Sequence, residues 1–229
     1  MARGQHFSDF TTPTPLPDRH TLIIGFQGGR QRWDSEREGT RLLALKLRGM
    51  NLPGVHVETV ENKRRALALD LIERAFDRNR DGRLDDEERA AVRLIVYGQS
   101  FGGAAVTKLA RELEARGIPV QLAVQVDSVG RNDDVIPANV RRAANLYQDD
   151  GWLIRGEPEV RAADPAKTEI LGNFRFSYAD KEVDMSRVPW HQRLARDAHA
   201  KMCNDPEVWA KVEELILSEL DLNASRSGP

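Results

Sequence analysis

The sequence predicts an α/β protein with a mostly parallel sheet of about five or six strands flanked by helices. Up to Val126, apolar runs of strand length alternate with segments whose apolar residues recur at helical spacing. Such alternation is typical of a parallel sheet that helices cover on both faces. The chain has 229 residues, of which 40% are hydrophobic and 31% charged, the composition of a globular protein. At this length the core needs no disulfide or metal, because roughly 70% of the unfolded surface can be buried.

The first elements follow a lead-in. Residues 1–19 are predicted to be extended, because the Thr/Pro stretch within them cannot propagate a helix. Residues 22–25 have the apolar pattern of a short buried strand, and 34–48 carry leucines at helical spacing. Residues 55–60 then predict a second strand, and 65–76 a second amphipathic helix.

The central elements continue the alternation. Residues 92–97 form an apolar run short enough for a third strand, and 103–116 read as a helix that Gly117 and Pro119 end. Residues 120–126 alternate apolar residues with glutamine, which predicts a fourth strand.

The pattern weakens after residue 127. We expect a helix over 139–147, an irregular segment over 151–165 and a strand over 170–178. Asp205 followed by Pro206 is a strong helix start and predicts a last helix through about Leu220. The sequence thus predicts one domain over 20–222, followed by a frayed tail over 223–229.

A serine turn joins the third strand to the next helix. Residues 98–102 read G-x-S-x-G, in the strand–turn–helix context that a nucleophile elbow requires. The sharp turn lifts the Ser100 hydroxyl above the sheet edge, and the flanking glycines avoid clashes. The helix start behind it favours developing negative charge. The alternative is an ordinary glycine-rich turn.

Three features together resemble the α/β-hydrolase family: VYGQSFGGAA at 96–105, LIIGFQGG at 22–29, and an acid followed by a histidine downstream. The resemblance spans most of the chain and implies a minimal form of that fold. It also implies a serine hydrolase that cleaves a carboxylic ester or thioester through an acyl-enzyme on Ser100.

The nucleophile needs a base, and the base needs an orienting acid. The family order of serine, acid and histidine leaves His199 and His191 among the five histidines. We favour His199, which lies just upstream of the last helix, with His191 as the alternative. Asp127, at the end of the fourth strand, is the favoured acid. Asp133, in a glycine-to-proline loop that also resembles the family, is the rival.

Backbone N–H groups must also stabilise the oxyanion. The resemblance implies that Phe101 supplies one, and that Phe26 or Gln27 supplies the other. The family's histidine–glycine pair is absent there, because Ile24 precedes Gly25, so the second donor stays open.

Residues 77–88 match an EF-hand calcium loop at every expected position. The predicted ligands are the side chains of Asp77, Asn79, Asp81, Asp85 and Glu88 and the backbone carbonyl of Arg83. The loop precedes the third strand and Ser100 follows it, a separation of about 20 Å. We therefore expect a structural Ca²⁺ that does not activate water. The alternative is a solvated charged loop.

Composition and net charge limit the kinds of ligand that we expect this protein to bind. The formal charge is -2, with basic residues scattered among acidic ones, which disfavours nucleic acid and leaves a small-molecule or lipid ester as the expected substrate. The N-terminus lacks a signal-peptide pattern and no apolar run would span a membrane, so we expect a soluble protein, cytoplasmic by default, with an extracellular or periplasmic location also open.

Two alternatives to the ester or thioester hydrolase stay open. One is a non-catalytic calcium-binding module on a degenerate hydrolase scaffold, and the other is an amide hydrolase.

Overall fold

The computed structural model describes residues 4–37, 39–151, 154–186 and 197–226. Within them the strands are β1 (Thr21–Gln27), β2 (Val55–Glu61), β3 (Leu94–Gln99), β4 (Val120–Val126), β5 (Val135–Ile136), β6 (Val140–Tyr147), β7 (Arg161–Ala162) and β8 (Glu169–Arg175). The helices are α1 (Gly39–Gly49), α2 (Arg65–Phe76), α3 (Asp86–Ala91), α4 (Phe101–Glu114), α5 (Asp197–Asn204) and α6 (Pro206–Arg226).

Six strands form one sheet in the order β2-β1-β3-β4-β6-β8, and every neighbouring pair in it is parallel. The predicted α/β class with a mostly parallel sheet of this size is therefore confirmed. Because the strands run in one direction, their carboxyl ends meet at one edge of the sheet. The strand order reverses between β1 and β3, which is the place where open α/β sheets form a crevice for ligands.

Helices cover both faces of the sheet. Successive strand residues point to opposite faces, so Ile24 and Val96 belong to one apolar cluster, whereas Ile23 and Ile95 belong to the other. The first cluster contains the buried sides of α2 and α4, and the second contains those of α1, α5 and α6. This two-sided packing holds the carboxyl ends of the central strands in fixed relative positions.

The helix predicted over 139–147 is wrong, because Val140–Tyr147 is strand β6. It lies between β4 and β8, and most of its side chains are buried. Alanine, arginine and leucine favour a helix locally, but pairing on both edges and burial on both faces decide the structure.

Two helix limits differ from the prediction by more than two residues. Helix α1 begins at Gly39 rather than near residue 34, and α6 continues to Arg226, into the segment predicted to fray. Helix α3, which contains Glu88, is short and ends at Ala91 before strand β3 begins. In the described segments, none of the helices combines the length and the hydropathy that a membrane span requires.

Candidate active site

Ser100 lies in the sharp turn between β3 and α4, with φ 57° and ψ −123°. This backbone region is strained for any residue with a Cβ. A Cβ on Gly98 would overlap the carbonyl oxygen of Gly102, and a Cβ on Gly102 would overlap that of Phe26. Only glycine fits at both positions, so the motif spacing follows from the close approach of strand, turn and helix.

Polar residues follow three neighbouring strands at the same sheet edge. Ser100 follows β3, Asp127 follows β4 and Gln148 follows β6. The Ser100 N–H donates to Val126 O at 2.9 Å, and the Asp127 N–H donates to Leu146 O at 2.7 Å. Strand pairing thus continues one residue past β3 and β4 and sets these side chains side by side.

His199 joins this group from helix α5. Its Nε2 lies 3.1 Å from Ser100 Oγ, and its Nδ1 lies 2.5 Å from Asp127 Oδ2. Asp127 is fully buried, and Ser100 and His199 are each 5% exposed. A carboxylate only accepts hydrogen bonds, so Nδ1 carries the proton in this contact and Nε2 is left to accept from the serine hydroxyl.

Asp127 has a second neighbour that the sequence analysis missed. The Gln148 side-chain Nε2 lies 3.1 Å from Asp127 Oδ2 and 3.3 Å from Oδ1, and the Gln148 backbone N–H donates to Oδ1 at 3.4 Å. No local motif marks Gln148. In the sequence it follows residues 139–147, which were predicted as a helix, so its position after a strand next to β4 was not predicted.

The alternative acid and base are placed differently. Asp133 is buried, and its Oδ2 accepts the Ser128 hydroxyl and, at 3.0 Å, the Gly130 N–H. These contacts lie within its own loop, and the residue that contacts His199 is Asp127. His191 lies outside the described residues.

The backbone of the predicted oxyanion donors lies close to the turn that contains Ser100. Phe101 is the first residue of α4, and the backbone of Phe26 and Gln27 packs against Gly102 in the same helix turn. Asn62 Nδ2 donates to Gln27 O at 2.9 Å and to Gly29 O at 2.7 Å. The loop after β1 is therefore held against the elbow by a side chain that follows β2.

Contacts around α5 hold His199 in place. Cys203, one turn beyond His199, accepts a hydrogen bond from Gln99 Nε2, which lies next to Ser100 in the elbow. Asp205, between α5 and α6, accepts hydrogen bonds from Tyr178 Oη at 2.8 Å and Lys181 Nζ at 2.7 Å. Burial and the neighbouring Asp205 raise the pKa of Tyr178, so this phenol stays protonated and donates.

The predicted calcium loop has a compact, internally hydrogen-bonded structure. Asp77 accepts the Asp81 and Gly82 N–H groups, and Gly82 has φ 87°. Asp85 and Glu88 cap the first turn of α3 reciprocally, at 2.8 Å and 3.1 Å. In the described part of the chain, the acidic residues of this loop do not form a preassembled group of three or more metal ligands.

Comparisons with known proteins do not identify a family. Neither the protein-family models nor the curated proteins gave a match. Among the similar solved structures is an uncharacterized protein from Pseudomonas aeruginosa, which is 12% identical, with a TM-score of 0.42. The similarity covers 69% of this chain and 40% of that one, so this chain spans about two fifths of that protein.

Proposed function

We propose that this protein is a serine hydrolase that cleaves a carboxylic ester or thioester through an acyl-enzyme on Ser100. The observation that carries the proposal is the chain of contacts from Ser100 Oγ through His199 to Asp127, at 3.1 Å and 2.5 Å. These are the distances at which a base can take the serine proton while an acid orients the base. The strained turn at Ser100 also supports it, because such strain concentrates at functional sites.

The same groups account for each step of the proposed reaction. Ser100 Oγ attacks the carbonyl carbon while its proton passes to His199 Nε2, and the C=O electron pair moves to the oxygen. The N–H of Phe101 and that of Phe26 or Gln27 stabilise the oxyanion. When the C=O re-forms, the bond to the leaving alkoxide or thiolate breaks, and His199 Nε2–H protonates that group.

Deacylation repeats these steps with water. His199 takes a proton from water, the hydroxide adds to the acyl carbon, and the bond to Ser100 Oγ breaks as His199 returns the proton. Asp127 stabilises the imidazolium in both halves. We further propose that the chain has a minimal α/β-hydrolase fold, which the parallel strand order and the serine turn between β3 and α4 support.

Mass spectrometry after treatment with a fluorophosphonate tests the proposal. An activated serine displaces fluoride and gains a phosphonyl group, so we expect one adduct, on the tryptic peptide that contains Ser100. Ser100→Ala should gain none while keeping its thermal transition. Folded wild-type protein without an adduct would refute the proposal and favour the non-catalytic calcium-binding module.

We also propose that the 77–88 loop binds a structural Ca²⁺. Its donors are all oxygens, which suit a hard ion. The Asp77 and Glu88 carboxylates already accept backbone N–H groups of the loop, but an ionised carboxylate has about four lone-pair positions, so acceptor capacity remains. Asp77, Asn79, Asp81, Asp85, Glu88 and the Arg83 carbonyl would hold the ion, which would join the end of α2 to the start of α3.

A further inference from the structure

The carboxylate of Asp127 is fully buried, so its charge depends on the donors around it. His199 supplies one donor, to Oδ2. Gln148 supplies two more, because its side-chain amide lies within 3.3 Å of both carboxylate oxygens and its backbone N–H reaches Oδ1. A donor shared by both oxygens opposes rotation of the carboxylate plane, and this rotation decides which oxygen faces His199 Nδ1.

Gln148 also organises the chain that closes over Asp127. Its Nε2 donates to Ile154 O at 3.0 Å, and its Oε1 accepts the Gly151 N–H at 2.9 Å. Its carbonyl accepts the Gly156 N–H at 3.3 Å. Gly156 packs so closely that a Cβ there would overlap Asp127 Oδ1. One fully buried glutamine therefore contacts both the acid and the loop that shields this acid from water.

We propose that Gln148 is a positioning residue for the hydrolase reaction: it fixes the Asp127 carboxylate in the orientation that accepts from His199 Nδ1. This inference rests on the proposed function of Ser100, His199 and Asp127. Gln148 is fully buried and its side-chain amide contacts Asp127, so it acts through Asp127. Its loss leaves the carboxylate with fewer donors and with freedom to turn away from the imidazole, which lowers the fraction of His199 that can accept the serine proton.

The main variant is Gln148→Met, which keeps the length of the side chain and the backbone N–H but removes the amide. The matched control is Asn145→Leu, on strand β6, which Gln148 directly follows. Asn145 is also fully buried and donates to Glu157 O of the same loop at 2.7 Å, and its other amide hydrogen bond goes to Asn173. The control therefore loosens the loop without removing a donor to Asp127.

The assay follows the rate of fluorophosphonate labelling of Ser100 against pH, at a temperature where each variant is folded. Hydrogen bonds to charged groups predict that Gln148→Met is slower by about tenfold to a hundredfold at neutral pH. We expect the acidic limb of its profile to move to lower pH, because a carboxylate that can turn away from the ring stabilises the imidazolium less. Asn145→Leu should lower the melting temperature and leave the profile unchanged. Labelling of Gln148→Met at the wild-type rate, with an unmoved profile, would overturn the inference.

A second variant and a second signal make the test independent of folding and turnover. Gln148→Glu keeps the acceptor for Gly151 and places a carboxyl group against Asp127, so we expect labelling to fall at least as far; wild-type labelling would again count against the inference. The downfield proton NMR resonance of His199 Nδ1–H reports its contact with Asp127 directly. It should shift or broaden in the Gln148 variants. If wild-type Ser100 is never labelled, the proposed function fails, and an unchanged resonance in Gln148→Met would by itself refute the positioning role.

Discussion

Replacing Asp127 by asparagine separates the two acids between which the sequence left the choice open. In the structure Asp127 Oδ2 faces His199 Nδ1, and both carboxylate oxygens face N–H groups of Gln148. An asparagine has one NH₂ group, and in either orientation this group points at a donor. If it faces His199, Nδ1 becomes the acceptor and the ring proton moves to Nε2, opposite the Ser100 hydroxyl, so His199 cannot act as a base.

The magnitude follows from this change of tautomer. In catalytic triads, the loss of the correct tautomer lowers turnover by about 10⁴. At 1.36 kcal/mol per tenfold change, this is about 5 kcal/mol of lost transition-state stabilisation. If the asparagine side chain rotates so that its oxygen faces His199, its NH₂ group faces the N–H donors of Gln148 instead. Because this orientation is also unfavourable, we expect a loss near this value for Asp127→Asn.

The assay is the initial rate of hydrolysis of an activated ester, normalised to the amount of folded protein. Asp133→Asn is the matched control, because Asp133 is equally buried but accepts from Ser128 and Gly130. We expect this control to lose stability and to keep activity within about tenfold of wild type. Asp127→Asn with activity close to that of Asp133→Asn would refute the assignment of the acid.

Three further predictions concern stability. Gly102→Ala should lower the melting temperature by roughly 2–12 °C, because the new Cβ overlaps the Phe26 carbonyl and overpacking costs about 1–3 kcal/mol; an unchanged transition in calorimetry would contradict the fit at the elbow. Burial raises the pKa of Glu219 above 4.5 despite the Arg142 side chain 3.3 Å away, so the folded state binds more protons and stability falls as pH rises through this window. The melting temperature of Glu219→Gln should therefore equal that of wild type at about pH 4 and exceed it at pH 7. If the variant and wild type melt at the same temperature at both pH values, the effect is absent. Calcium at about 100 times its dissociation constant should stabilise wild type by about 2.7 kcal/mol in thermal melts and should not stabilise Glu88→Gln; a wild-type transition that is the same in calcium and in chelator would rule out the site.

Local signals predicted much of the fold. The apolar runs and helical spacings up to Val126 indicate the alternating elements that the structure contains, because each pattern reflects burial of one face of one element. The turn at Ser100 is also predictable from local sequence. Its two glycines lie two residues before and two residues after Ser100, so the residues that the tight turn requires lie within five consecutive positions.

Local sequence patterns gave the wrong secondary structure where the conformation of a segment depends on the strands that pair with it. Residues 140–147 carry helix-favouring side chains, but they become β6 because β4 and β8 pair with both of its edges. The final turns of α6 also continue past the predicted end. For β6, the strands that pair with it, and not its own propensities, decide its conformation.

For the site, the sequence by itself determined the residue types: a serine in a strained turn, acids after neighbouring strands, and a histidine before the last helix. Only the tertiary structure decided which of them meet. His199 is separated by 72 residues from Asp127 and by 99 from Ser100, and the packing of α5 against the sheet brings them together. The Asp133 carboxylate accepts hydrogen bonds within its own loop and not from His199. Gln148 contacts Asp127 because β6 lies beside β4. Hydrogen bonding requires atoms to approach within about 3 Å, and for groups this far apart in the chain only the packed fold determines that approach.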